Sequence, residues 1–391
     1  MRERGDRFKR ELDKTIGIPL VFLAGAGRRI LSGKRTPPDA PKALGVICFA
    51  AIGDLLLATA LINALRARHP DARIHVYASA ANAGALALLP GKCVCRSFAI
   101  SDIRGIVRTL REDALDILFD TTQWARIGAL VSLLSGAKFA VGFDTPGQYR
   151  GSAYDLAVPH RAGLHEIENF GNLARALYPQ GQYAPSIVIP EAPLGPETSP
   201  GPETPPGNVA GLEPTALSRT IFMHMWASGR KPEIKEWSPL EWAALAKRCH
   251  EAGYRVVFTG SPENAPKNAA FLDKYIAPLL RETDEVCSIA GKTSLPELAW
   301  LFSRSAAVVS VNTGIVHLAG LSGAPTIDLH GPTAPERWGA CGPRAFHVSA
   351  PDAYGGYLYL GFEFPKNAYP VLRALPASQV VSALRRAGLC L

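Results

Sequence analysis

Residues 188–217 cut the chain in two. Eight prolines fall between Pro190 and Pro214, and Gly195-Pro-Glu-Thr-Ser-Pro200 is nearly repeated as Gly201-Pro-Glu-Thr-Pro-Pro206. Proline removes a backbone donor and clashes within a helix, so such a tract runs extended or flexible and marks a domain boundary. On both sides of it, short apolar runs of buried-strand character alternate with runs of helical spacing. That alternation predicts a parallel sheet covered on both faces in each half. The expected fold class is therefore α/β, with two doubly wound, Rossmann-like domains facing each other across a cleft. Residues 1–41 form a basic amphipathic N-terminal segment, 42–187 a first α/β domain, 188–217 the linker and 218–375 a second α/β domain. Residues 376–391 form a last helix that is a candidate to cross back to the first domain.

In the first half, Leu44–Ala50 reads as a buried strand. A helix opens at Asp54 and runs to about Arg68, where Pro70 stops it. Strands follow at Arg73–Ala78, Asp116–Phe119 and Lys138–Phe143, with helical stretches ending at Leu89 and spanning about Gln123–Leu134. In the second half, strands fit Thr220–His224, Tyr254–Thr259, Ala306–Val311 and Pro325–His330. Ser238-Pro-Leu-Glu241 and Ser294-Leu-Pro-Glu297 are capping boxes that open helices, and a further short helix starts at Gly314.

The formal net charge is +8, and residues 1–42 carry 11 basic against 5 acidic residues, so most of the excess sits there. A nucleic-acid binder spreads its basic stripe over a folded surface, so no nucleic-acid partner is expected. Here the cations flank an uncharged apolar stretch, Thr15–Gly27. It is too short to span a bilayer, which takes about 20 apolar residues. Three readings fit: a segment lying on an anionic membrane surface, a surface helix packed on the body, or a signal peptide. Glu3, Asp6, Glu11 and Asp13 argue against the last. The seven cysteines include no C-x-x-C pair, which argues against a zinc cage or a thioredoxin-type motif and suits reduced thiols in cytosol.

Four places carry candidate chemistry. Asp54 is the only charged residue in Ala43–Leu65 and sits where a strand turns into a helix, with Gly53 permitting the turn. It reads as a general base or as an ordinary N-terminal helix acid. Asn312-Thr313-Gly314 and His317 follow a buried strand and open a helix, so their backbone N–H groups would cradle phosphate; equally, Asn312 is an N-cap and His317 a buried hydrogen-bonded side chain. Gly331 and Thr333 leave the next strand, either for close approach to a ligand or as a Pro-rich turn. Lys235 lies in a loop where a cation would meet phosphate, or solvent. Dinucleotide-binding G-x-G-x-x-G, P-loop, G-x-S-x-G and D-x-D motifs are absent from the sequence.

Taken together, these pieces resemble glycosyltransferase family 9, the ADP-heptose:lipopolysaccharide heptosyltransferases. Ile52-Gly-Asp-Leu-Leu-Leu-Ala-Thr59, with Ala64-Leu65-Arg66 and Pro70, resembles the family's N-terminal block. Asn312-Thr-Gly-Ile-Val-His-Leu-Ala319, Gly323-Ala-Pro-Thr326 and Gly331-Pro-Thr333 resemble its C-terminal block, and Lys235-Glu-Trp237 and Val256-Val-Phe-Thr-Gly260 the elements between. The likeness covers about residues 42–345. Asn312 stands where the family often has Asp, Ala334 where Asp often follows G-P-T, and Ala60 where Pro often follows Thr59.

The resemblance implies a GT-B fold and an inverting, metal-independent transfer that needs no cofactor. It makes Asp54 the base that deprotonates the acceptor hydroxyl, with Gly53 in the acceptor-side loop. Thr313, Gly314 and His317, with Asn312, Gly331, Thr333 and Lys235, would hold the donor. The implied partners are a nucleotide-sugar donor, ADP-linked with heptose as the default, and a lipid-linked glycan acceptor. The setting is the inner face of the inner membrane, with residues 1–42 on its anionic surface. Alternatives are another nucleotide sugar, a protein or capsule acceptor, a GT-B epimerase, and a non-catalytic nucleotide-binding scaffold.

Overall fold

Two six-stranded parallel sheets organise the computed structural model, which describes residues 13–191, 209–280, 284–351 and 355–391. The first sheet contains β1 (Ala43–Cys48), β2 (Arg73–Ser79), β3 (Cys93–Phe98), β4 (Ile117–Asp120), β5 (Phe139–Asp144) and β6 (Leu156–Pro159), in the order β3-β2-β1-β4-β5-β6. The second contains β7 (Thr220–His224), β8 (Arg255–Thr259), β9 (Val286–Ser288), β10 (Ala307–Val311), β11 (Thr326–His330) and β12 (Ala345–Ser349), in the order β12-β11-β10-β7-β8-β9. Both follow one topology: strand order reverses once, between β1 and β4 in the first sheet and between β7 and β10 in the second. In such sheets ligands bind outside the carboxyl ends of the two strands at that reversal. The chain divides into two compact units, Met1–Val188 and Ile189–Leu391.

Every residue of β1, β4, β7, β10 and β11 is buried, which is why β1, β7 and β10 read as largely apolar runs, while β4 and β11 each bury an acid, Asp120 and Asp328. Edge strand β3 is only partly buried and carries Arg96, so its sequence lacks that signature. The first unit's helices are α1 (Gly17–Ser32), α2 (Ile52–Arg68), α3 (Ile103–Glu112), α4 (Arg126–Leu134) and α5 (Glu166–Arg175). The second unit contributes α6 (Pro239–Glu251), α7 (Ala265–Phe271), α8 (Leu295–Arg304), α9 (Gly314–Leu321) and α10 (Ala377–Arg386).

Of the two expected capping boxes, one forms. Ser294 caps α8, and Glu297 Oε2 accepts its backbone N–H at 2.7 Å. Ser238 makes no side-chain cap; Glu241 Oε2 instead accepts the Ala377 N–H at 2.6 Å, at the start of α10. That bond and the burial of Val380, Ala383 and Leu384 beside Trp242 and Leu245 make α10 part of the second unit's own core. This replaces the expectation that the last helix crosses back. The linker is also shorter at its end than its composition suggests: Val209, Leu212 and Leu217 are buried, and Pro214–Arg219 forms a 3-10 turn. Residues 192–208, the Pro-rich centre of that tract, lie outside the described residues.

Helix α1 packs on the first unit. Val21 is fully buried against Ala129, Ala153 and Tyr154, and a Cβ on Gly25 would come within 2.3 Å of the Ser152 carbonyl oxygen, so only glycine lets the helix approach this closely. Asp13 pairs with Arg126 at 2.7 Å, and Arg35 Nε donates to Asp155 at 2.8 Å. The opposite face is apolar and exposed: Ile16, Leu20, Leu23 and Ile30, spaced four, three and seven residues apart, with Leu23 at 68% and Ile30 at 83% exposure. No helix among the described residues is long and apolar enough to cross a membrane.

Candidate active site

Asp54 occupies the third position of α2, just past the carboxyl end of β1 and beside β4, at the first sheet's reversal point. Its side chain is 6% exposed. Oδ2 accepts the Ala51 N–H at 2.9 Å, closing the helix's first turn, and Oδ1 accepts Gln123 Nε2 at 2.7 Å. The capping function and a site function therefore fall on one carboxylate. Asn82 holds the loop ahead of it, donating to the Cys48 carbonyl at 2.9 Å. Gly53 is buried in the first turn of α2 and does not take a left-handed conformation, so its expected part in a tight turn is replaced by ordinary helix geometry.

The second sheet's reversal point gathers most of the remaining candidates. Past β10, Thr313 caps α9, its Oγ1 accepting the Ile315 N–H at 3.3 Å. Thr313 rather than Asn312 is thus the N-cap. The first N–H groups of α9 open at the end of a fully buried strand, where a helix terminus favours an anion. Past β7, Lys235 closes a short helical turn and bonds the Ser228 carbonyl across its own loop. Within α9, His317 is buried, with Nδ1 at 3.4 Å from Cys341 Sγ; burial pushes the Cys341 thiol up to about 12, so it keeps its proton.

Beneath this loop lies a group that the sequence reading missed. Asp328 is fully buried in β11, paired in register with His347 on β12, and His330 points from the same face two residues on. Asp328 Oδ2 accepts from the Ala340 N–H at 2.8 Å and meets His330 Nε2 at 2.7 Å. Asn312 Nδ2 donates to both Asp328 oxygens, at 3.1 and 3.2 Å, and to the Trp338 carbonyl at 2.8 Å. Burial would raise the Asp328 carboxyl, but His330 beside it and hydrogen bonds from His330, His347 and Asn312 outweigh burial and hold it well below the usual carboxylate range.

Among the described residues, Asp328, His330 and His347 are the one trio whose donor atoms converge closely enough for a metal. The protein donors already on Asp328 fit a hydrogen-bonded hub. Its output is positional, since Asn312 leads directly into Thr313 and His330 Nδ1 lies 3.1 Å from Thr333 Oγ1. A signal for it exists in the sequence: a lone acid inside an apolar strand, Thr326–His330. Gly331 departs from its expected role, because the chain that approaches it closely is the protein's own; a Cβ there would come within 2.8 Å of Leu372 Cβ.

A family model described as "Glycosyltransferase family 9 (heptosyltransferase)" matches residues 103–355. Lipopolysaccharide heptosyltransferase 3 of Escherichia coli is 26% identical over 302 residues, covering 72% of this chain and 81% of that protein. Among solved structures, E. coli ADP-heptose lps heptosyltransferase II superposes with a TM-score of 0.65 at 21% identity, covering 89% of this chain and 100% of that one. The E. coli heptosyltransferase WaaC solved with ADP superposes with a TM-score of 0.63 at 17% identity, covering 88% and 99%.

Proposed function

The chain belongs to glycosyltransferase family 9, and from that premise we propose that it transfers heptose from an ADP-linked donor to a lipopolysaccharide core or a related lipid-borne glycan, with inversion. The observation that carries the chemistry is Asp54: a buried carboxylate at the reversal point of the first sheet, fixed by the Ala51 N–H and the Gln123 amide. In this reading Asp54 takes the proton of the acceptor hydroxyl as its oxygen bonds to the anomeric carbon. The bond from that carbon to the diphosphate breaks on the opposite face, and ADP leaves. The α9 N-terminus at Thr313 and Gly314, with Lys235, offsets the charge on the leaving diphosphate, so this reading needs no metal. His317, Asn312 and Thr333 shape the donor side, the last two through Asp328 and His330. Support for an adenosine diphosphate comes from the solved relatives, one an ADP-heptose lps heptosyltransferase and the other a heptosyltransferase solved with ADP.

The setting proposed is the inner face of the inner membrane, with residues 1–42 against anionic lipid. The exposed apolar stripe on α1 supports it: a continuous apolar helix face in water marks an interaction surface.

Two measurements test the proposal. Calorimetry with ADP, UDP, GDP and CDP is expected to give binding by ADP alone, weakened in Thr313→Ala and kept in Thr313→Ser, which retains the helix cap. Asp54→Asn is expected to fold and bind ADP normally while turnover falls about 10²–10⁴-fold. Preference for another nucleotide removes heptose as the sugar; unchanged turnover in Asp54→Asn removes the base.

A further inference from the structure

We propose that Gln123 is the positioning residue for Asp54, set in place by the buried Asp120–Arg150 pair beneath it. The inference rests on Asp54 being the base. Gln123 leaves β4 two residues after Thr121, whose N–H and hydroxyl both bond the Ile47 carbonyl of β1, at 3.0 and 2.8 Å. The segment is thereby fixed beside the loop that carries Asp54. Gln123 is itself 3% exposed, and its Nε2 lies 2.7 Å from Asp54 Oδ1.

The backbone that presents this amide is held from below and from the side. The Gln123 carbonyl accepts the Thr145 hydroxyl, and the Thr122 carbonyl accepts Arg150 Nη1. Arg150 and Asp120 have no solvent exposure, and Arg150 Nη2 lies 2.7 Å from Asp120 Oδ2. The same nitrogen donates to Thr122 Oγ1 at 2.7 Å, and Tyr154 OH donates to Asp120 Oδ2 at 2.6 Å. A fully buried ion pair adds little net stability, since desolvation cancels much of its attraction; its attested use is to specify one arrangement. Here that arrangement is the Asp120–Gln123 turn, whose one side chain aimed at a candidate site residue is Gln123.

The residue type fits the task. With the Ala51 N–H on one oxygen and the Gln123 amide on the other, the plane of the carboxylate is fixed. An amide donates without carrying charge, so it orients the carboxylate and leaves it able to take a proton. A lysine or arginine in its place would hold the carboxylate as an ion pair.

Gln123→Met keeps length and apolar volume and removes the donor, while Gln123→Glu sets a second carboxylate against Asp54. With ADP-heptose and a heptose-deficient lipopolysaccharide acceptor, Gln123→Met is expected to lower kcat about 10- to 100-fold with both KM values within twofold, as misplacement of a reacting group does. Gln123→Glu is expected to lower kcat further. Crystal structures of both variants should show the Asp54 carboxylate rotated from its native orientation. Unchanged kcat, a loss confined to KM, or an unrotated Asp54 in both variants would overturn the proposal. Asp54→Asn separates the two layers: unaffected turnover in it removes the base and this role together, whereas a large loss beside an inert Gln123→Met removes only the role of Gln123. If the native enzyme transfers nothing from ADP-heptose, the functional reading fails, and the crystal structures still decide whether Gln123 sets the carboxylate.

Discussion

Two buried acids, Asp120 at the end of β4 and Asp328 within β11, are satisfied by different chemistry. Asp120 is met by a guanidinium and a tyrosine hydroxyl, Asp328 by two imidazoles, an amide and a backbone N–H. Asn312 shows why residue identity matters at this scale. Its amide nitrogen faces three acceptors, so that end of the side chain is the one that fits. An acid at 312, which the family block often has, would set two carboxylates in contact here. Asn312 thus reads as a partner of Asp328 through its amide nitrogen. His224, at the end of β7, carries a prediction. Burial drives its imidazole down to about 4, against a hydrogen bond to the Trp226 backbone that acts the other way. Its folded value lies below the unfolded one, so the neutral form is the one the fold accommodates. The contribution is present above about pH 6.5 and lost as pH falls toward 4, and is worth up to about 3 kcal/mol. Urea unfolding at pH 7 and pH 4.5 is expected to show a smaller acid loss in His224→Asn than in the native protein. An equal loss would place the acid sensitivity elsewhere.

At the scale of elements, α1 has two apolar faces and uses them differently. One is packed through Val21 and Gly25 onto the first unit, while the other leaves Ile16, Leu20, Leu23 and Ile30 in water. The choice between a packed helix and a membrane-surface helix is therefore not exclusive, because the docking that orders the helix also aims its second stripe outward. Leu20→Glu with Leu23→Glu touches only that outer stripe. Binding to anionic-lipid vesicles, read by co-sedimentation, is expected to weaken roughly a hundredfold, from about 1.5 kcal/mol of lost burial per leucine. The far-ultraviolet spectrum and ADP binding should be unchanged. Equal binding by both proteins would reject the lipid face. The β10–α9 junction makes a related point: Thr313 spends its hydroxyl on capping, so what the element offers an anion is backbone N–H and dipole.

For the whole molecule, each unit has its own sheet and its own core, and the residues proposed to hold the donor all belong to the second. Calorimetric unfolding is expected to show one transition moved by ADP and one left in place. At a free ADP concentration of 100 Kd the shift should be about 5–10 °C, from about 2.7 kcal/mol of linkage. Both transitions moving together would show that both units bind the nucleotide. The two-sheet architecture was legible in the chain because central parallel strands are buried on both faces, and β1, β7 and β10 announce themselves as largely apolar runs. Asp54 and the Asn312–His317 block were legible because they follow such strands directly, where the topology exposes a turn. Gln123, Arg150 and the Asp328 hub were not. Gln123 and Arg150 meet partners 69 and 30 residues away, and Asp328 meets groups on neighbouring elements, so only strand order decides that β4 flanks β1, or that β12 sets His347 beside Asp328. The destination of α10 and the missing Ser238 cap were settled in the same way. Apolar burial gives a periodic trace along one chain segment, whereas a buried polar group takes its meaning from whichever donor or acceptor the packing brings to it.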